Sequence, residues 1–164
     1  MTRDQVAVGG FDTRSGRWRV SVDPPIDTDL DDLRPVCSLA VSHELRRPSL
    51  AWASYGEGGH IQLASNNGVT DLNLPTDIAL AYGAVAFSDD DQQLVIVAWR
   101  APNVDVRLES PYGCIGVYSL KNLSQPIAWQ DLHRPINAVS LSPPYACLGS
   151  RNGWQLLEIF ATNA

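Results

Sequence analysis

The three histidines are the side chains best suited to metal binding or acid–base chemistry, and they stand apart in the sequence. His43, His60 and His133 have no partner at the HxH or HxxxH spacing. A protein metal site needs three or four such ligands around one ion. The serines also lack the strand–turn–helix context of a Gly-x-Ser-x-Gly nucleophile. We therefore expect no catalytic residues, no metal site and no bound cofactor.

An acidic run from Asp27 to Asp32 has the Asp-x-Asp-x-Asp opening of many calcium loops. Such loops need glycine at the sixth position and glutamate at the twelfth, and here these positions hold Asp32 and Ser38. A solvated acidic loop is the expectation. Carboxylates such as Asp27, Asp29 and Asp89 leave one alternative open, that of an enzyme or carbohydrate-binding protein that acts through acidic loops.

The charge balance excludes two classes of partner. Twelve basic residues against eighteen acidic ones give a net charge of −6, and the isoelectric point is near 4.8. Nucleic-acid binders carry a basic stripe that displaces counterions from phosphates, and anionic membranes select similar surfaces. The arginines here are scattered, and Lys121 is the one lysine. We expect no nucleic acid and no membrane partner.

Cysteine usage and apolar runs indicate the compartment. The three cysteines are odd in number and far apart, which fits neither a disulfide framework nor a zinc site. The longest apolar run, Ile78–Phe87, is too short for a membrane-spanning helix. No secretory signal is expected, because the first four residues lead into a strand-like segment. These features favour an intracellular protein, cytoplasmic rather than nuclear.

Short apolar segments separated by turn residues dominate the chain and predict an all-β fold, either a sandwich, a barrel or a propeller. One further segment, Leu39–Arg47, is a helix candidate by its spacing, although the face that this spacing would create is polar. The predicted strands are Gln5–Gly10, Arg17–Val22, Val36–Ser42, Ser49–Ser54, His60–Ala64, Val69–Leu74, Ala84–Ser88, Gln93–Trp99, Gly113–Leu120, Ile127–Leu132, Ile136–Ser142, Ala146–Gly149 and Trp154–Phe160.

Three of these segments share one template that alternates apolar and small residues and ends on serine: Ser38–Ser42, Ala84–Ser88 and Ala138–Ser142. Each is followed by a turn and a second apolar strand. The repeats lie 46 and 54 residues apart, close to the length of a four-stranded propeller blade. An insertion at Arg100–Pro111 explains the longer period and predicts an extended loop on one rim.

The repeat resembles the WD-repeat family. Gly149–Ile159 is similar to the second and third strands of a WD blade, and His133–Pro143 to its opening. Ile115–Leu120 resembles the Val-Trp-Asp-Leu segment, and Val85–Asp90 the Val-Ala-Phe-Ser-Pro-Asp segment. The resemblance implies a divergent WD-like β-propeller, in which His133 forms a structural hydrogen bond within its blade.

The blade count predicts an incomplete propeller. Residues 1–22 supply the last two strands of one blade, 36–74 and 84–132 form two full blades, and 136–160 supply part of another. Closed propellers typically have about four to eight blades. The chain is therefore a piece of a larger propeller, or pairs with itself to close a ring, or is a sandwich instead. We favour the first interpretation.

The function predicted from these features is a non-catalytic scaffold or substrate-recognition module that binds other proteins. Five tryptophans fall in predicted strands, and alternation would bury most of them between blades. Loops on a rigid scaffold usually carry recognition. We therefore place partner binding on the insertion, at Arg100, Asn103 and Arg107, and on Tyr112 just beyond it.

Overall fold

The thirteen predicted strands are all present in the structure, with ends displaced by three residues at most. The computed structural model describes residues 6–12, 14, 17–23, 36–44, 49–54, 60–65, 68–74, 82–100 and 111–159. The strands are β1 Val6–Asp12, β2 Arg17–Asp23, β3 Val36–Val41, β4 Leu50–Ser54, β5 Ile61–Ser65, β6 Gly68–Asp71, β7 Tyr82–Phe87, β8 Gln93–Trp99, β9 Gly113–Ser119, β10 Ala128–Leu132, β11 Ala138–Ser142, β12 Tyr145–Ser150 and β13 Gly153–Glu158.

These strands form four antiparallel sheets in which neighbours in sequence are neighbours in space. The first sheet pairs β1 with β2, and the second and third are the four-stranded meanders β3–β6 and β7–β10. The fourth sheet contains three described strands, β11–β13. Two-residue connections join β5 to β6, β11 to β12 and β12 to β13, and antiparallel neighbours need only such a tight connection. The connection from β8 to β9 is longer and contains the insertion.

The sheets stack face to face with their first strands together. β7 contacts β3 on one side and β11 on the other, and β3 in turn contacts β1. Each sheet therefore follows the previous one around a common inner side. This is the radial arrangement expected of propeller blades.

Two apolar cores hold the last three sheets together, and β8 contributes to both. Its residues are buried from Leu94 to Trp99, so successive side chains enter opposite cores. Ile96 packs between the second and third sheets with Ile61 and Tyr118. Val97 packs between the third and fourth sheets with Leu148.

The helix candidate at Leu39–Arg47 is wrong over its described part. Leu39 pairs with Trp52 across β3 and β4, and strand β3 continues to Val41. Pairing with β4 supplies backbone hydrogen-bond partners along one side of this segment, and the polar face of the expected helix gave no apolar stripe to bury. No helix of the described residues has the length and apolarity of a membrane span.

Candidate functional site

The face of the fourth sheet that points away from the third sheet is exposed. On it, Trp154 is 71% exposed, Leu156 67% and Tyr145 47%. The alternate residues of the same strands, such as Leu148 and Leu157, enter the core with the third sheet. We call the exposed side the outer face, and it comprises Ala138, Ser140, Ser142, Tyr145, Cys147, Gly149, Trp154, Leu156 and Glu158.

Apolar exposure on this face contrasts with the burial of the tryptophans in the second and third sheets. Trp52 and Trp99 are buried, as alternation predicts, and Trp129 is half-buried. The Trp154 ring covers Gly149 on the neighbouring strand, where an added Cβ would lie 2.8 Å from Cζ3. Trp129 covers Gly116 in the same way. In the fourth sheet the tryptophan of such a tryptophan–glycine pair is exposed to solvent, whereas in the third sheet it is half-buried.

Strand β13 has an open edge. It pairs with β12 alone among the described strands. The N–H of Ile159 donates to the carbonyl of Pro144 at 2.6 Å. Ile159 and every second residue before it, such as Leu157, therefore direct their backbone N–H and C=O groups toward β12. Because the pattern has a period of two, the backbone groups of Trp154, Leu156 and Glu158 point to the open side. Such unpaired groups are a template for another strand.

A groove of about 310 Å³ runs beside this edge. Leu157 and Ile159 of the β13 side form one wall, and Ile115, Val117 and Ala128 of the third sheet form another. In the third sheet, a fourth strand, β10, occupies the position that is open next to β13. The groove therefore has the place and the apolar lining for side chains of a fourth strand.

A polar cavity of about 500 Å³ lies at the end of the sheet where β13 begins. Its described lining comprises Arg134, Pro135, Asn137, Ser150, Arg151 and Asn152. Asn137 and Ser150 are held by the local fold: the N–H of Asn137 donates to Gly149, and the Ser150 hydroxyl donates to the Gly153 carbonyl. A smaller cavity of about 80 Å³ shares four of these residues and extends to Trp154.

Two of the four predicted recognition residues lie at this same end of the strands. The N–H of Arg100 donates to the Tyr112 carbonyl at 3.0 Å, so the two ends of the insertion meet. The N–H of Tyr112 donates to the carbonyl of Leu132 at 2.8 Å. Leu132 ends β10 and is two residues from Arg134 of the polar cavity. Asn103 and Arg107 lie outside the described residues, so their role stays a prediction.

The side chains considered for chemistry are scattered. His43 lies 3.1 Å from Asp91, and His60 lies 3.6 Å from Asp71. His133 is exposed and makes no hydrogen bond within the described part of the chain, so the structural role implied by the resemblance is not found. Among the described residues, no group of three or more His, Cys, Asp or Glu side chains is placed so that it could hold a metal ion.

The three cysteines are free and differ in environment. Burial raises the pKa of the Cys114 thiol to about 12, although a hydrogen bond to the backbone of Ala98 opposes the shift. Burial also raises the pKa of Cys37, whose sulfur contacts the Gly83 backbone. A thiol is nucleophilic only as the thiolate. Neither residue is therefore an activated nucleophile near neutral pH.

Sequence reasoning placed recognition on the insertion and missed the outer face. The signal was present, because the predicted β13 alternates Trp154 and Leu156 with Leu157 and so is apolar on both sides. Such a strand needs cover on both faces. Only the sheet order shows that the described residues cover one of them.

Comparison with a solved propeller structure supports the fold. The Dos1 propeller matches 94% of this chain at 10% identity with a TM-score of 0.50, and this chain spans 40% of that chain's length. The computationally designed Ika8 protein matches 97% at 14% identity with a TM-score of 0.40, over 57% of its own length. No family model and no curated protein matches the sequence. The fold is an all-β segment of an incomplete β-propeller.

Proposed function

We propose that this protein is a non-catalytic interaction module that binds an extended segment of a partner protein as a fourth strand beside β13. The observation that carries the proposal is the open edge of β13, flanked by the exposed side chains of Trp154 and Leu156. Propellers commonly present rims and strand edges on one rigid body. The proposal remains one of a scaffold or recognition module, and it moves the main contact from the insertion to β13.

The chemistry of the edge matches strand addition. The backbone groups of Trp154, Leu156 and Glu158 offer hydrogen bonds that do not depend on the partner's sequence. Alternate side chains of the added strand would enter the groove beside Leu157 and Ile159, and the others would cover the outer face. Burial of Leu156 beside the added strand contributes about 1–2 kcal/mol. These gains must offset the entropy lost when the segment becomes ordered.

The partner is first identified by cross-linking. A photoreactive residue at position 158 in the full chain should capture a protein, and one at position 122, an exposed turn position in another sheet, should not. Tiled peptides of the captured protein then define the bound segment by fluorescence anisotropy. Capture alone does not support the proposal, because a cross-link shows proximity and not strand pairing.

The decisive comparison is between two variants at one position. Leu156→Pro removes the N–H that points to the open side, and Leu156→Ala keeps that N–H while removing the same apolar side chain. Proline is tolerated at an edge position whose N–H faces solvent. We expect Leu156→Ala to weaken peptide binding about tenfold and Leu156→Pro to abolish it. Equal binding by the two variants would overturn strand addition.

A further inference from the structure

The cavity between the β10–β11 connection and the β12–β13 turn is basic in an otherwise acidic protein. The chain has twelve basic and eighteen acidic residues, yet Arg134 and Arg151 both line this one cavity. No carboxylate belongs to its described lining. Within the described ranges, neither guanidinium forms an ion pair. The local charge is therefore positive and uncompensated by these neighbours.

The donors in this cavity suit an oxyanion. A guanidinium presents a planar fork of N–H groups that binds carboxylate or phosphate through two parallel hydrogen bonds. Asn137 and Asn152 add neutral amide donors to the same lining. The backbone hydrogen bonds of Asn137 to Gly149 and of Asn152 to the Ser150 hydroxyl fix the positions of both residues. This arrangement favours an anionic group over a cation.

The cavity lies where a strand added to β13 would end. Asn152 directly precedes β13, and the small adjoining cavity connects Arg134 with Trp154. Every strand pair of the described sheets is antiparallel. A segment paired antiparallel to β13 would run toward its first residue, Gly153, and bring its carboxyl end to Arg151.

We infer that this cavity binds a carboxylate or phosphate group at the carboxyl end of the partner segment. The inference rests on the proposed function for the identity of the ligand-bearing protein, and on Arg134 and Arg151 for its chemistry. The two guanidiniums would set the direction and the register of the segment, because backbone pairing alone specifies neither.

Small anions test the cavity without any partner. Inorganic phosphate and N-acetylglutamate are titrated into the full chain while the arginine Nε–Hε signals are followed by NMR. We expect Arg134 and Arg151 signals to shift, and Arg134→Gln or Arg151→Gln to weaken anion binding about tenfold. Lys121→Gln, the same charge change at an exposed turn of another sheet, is the control and should bind as the wild type.

The two anions distinguish the source of the charge. Phosphate binding at least about tenfold tighter than N-acetylglutamate would indicate a phosphorylated segment, and comparable binding would indicate an acidic side chain or a terminal carboxylate. If neither anion shifts the two signals, or Lys121→Gln weakens binding as much as Arg151→Gln, the inference is wrong. These titrations need no added strand. Anion binding can therefore fail while the Leu156 variants support strand addition, and anion binding can succeed while those variants contradict strand addition.

Discussion

Gly113 shows at the scale of one residue how closely β9 is packed within the third sheet and against Ile136. A Cβ at this position would lie 2.6 Å from the backbone oxygen of Ala98 and 3.2 Å from Cδ1 of Ile136. A backbone atom cannot move away alone, so we expect Gly113→Ala to lower the free energy of unfolding by about 2–3 kcal/mol. Urea denaturation measures the change.

Gly149→Ala is the matched control for this prediction. Its Cβ would meet the Trp154 ring at 2.8 Å, and that ring is largely exposed and free to swing outward. The expected cost is less than about 1 kcal/mol, because a surface side chain relaxes more easily than a strand backbone. An equal loss in both variants would contradict the distinction between the covered and the exposed face.

Cys114 gives the molecule a dependence on alkaline pH. Its pKa is raised by burial to about 12, whereas a thiol in an unfolded chain ionises near pH 8.5. As the pH rises above that value, the unfolded state loses a proton that the folded state keeps, and the folded state loses stability. The stabilisation is complete below the unfolded pKa and disappears as the pH approaches the folded one.

We expect the wild type to lose about 1–2 kcal/mol more stability between pH 8 and pH 10 than Cys114→Ala does. Urea unfolding at a series of pH values gives the free energy of unfolding against pH for both proteins. Subtracting one curve from the other removes the contribution of titrating groups that the two proteins share. Tyr118, whose pKa burial also raises, is present in both. Parallel curves would mean that the Cys114 thiol is accessible to water in the folded state.

At the scale of elements, the hydrogen-bond pattern of β13 distinguishes its two sides. The N–H of Ile159 bonds to Pro144 on the β12 side, and Leu157, two residues earlier, directs its N–H the same way. Leu156, between them, directs its N–H toward the open side. We expect Leu157→Pro to destabilise the protein by about 3 kcal/mol and Leu156→Pro by less than about 1 kcal/mol. Thermal unfolding followed by circular dichroism compares them, and a reversed order would contradict this strand phase.

The elements were also what the sequence predicted best. Apolar segments bounded by turn residues located all thirteen strands, because alternation and turn chemistry act within a few residues. The helix candidate failed at Leu39 because its periodicity was ambiguous over so short a span. Recognition was placed at Arg100 and Tyr112, whereas the open edge at Leu156 depends on which strands pair. Strand pairing depends on residues throughout the sheet, so no single sequence motif predicts it.

At the scale of the whole molecule, the third sheet shares an apolar core with the sheet on each side of it, whereas the fourth sheet turns its outer face to solvent. Ile96 and Val97 tie the second, third and fourth sheets into one body through β8. The fourth sheet is covered on its inner side by the same kind of contact, yet the outer face leaves Trp154 and Leu156 exposed. This exposed face adjoins the open edge of β13, which is the position that β10 occupies in the third sheet.

An open apolar edge pairs with other strands, including those of its own kind. We therefore expect the molar mass of the 164-residue chain, measured by light scattering after gel filtration, to rise above 17.9 kDa with concentration. Leu156→Pro should stay at the monomer mass because it removes the outward N–H, whereas Lys121→Gln, a change in the exposed turn between β9 and β10, should associate as the wild type. A wild-type mass that does not change with concentration would contradict an accessible β13 edge. Association that persists unchanged in Leu156→Pro would move the contact to another surface.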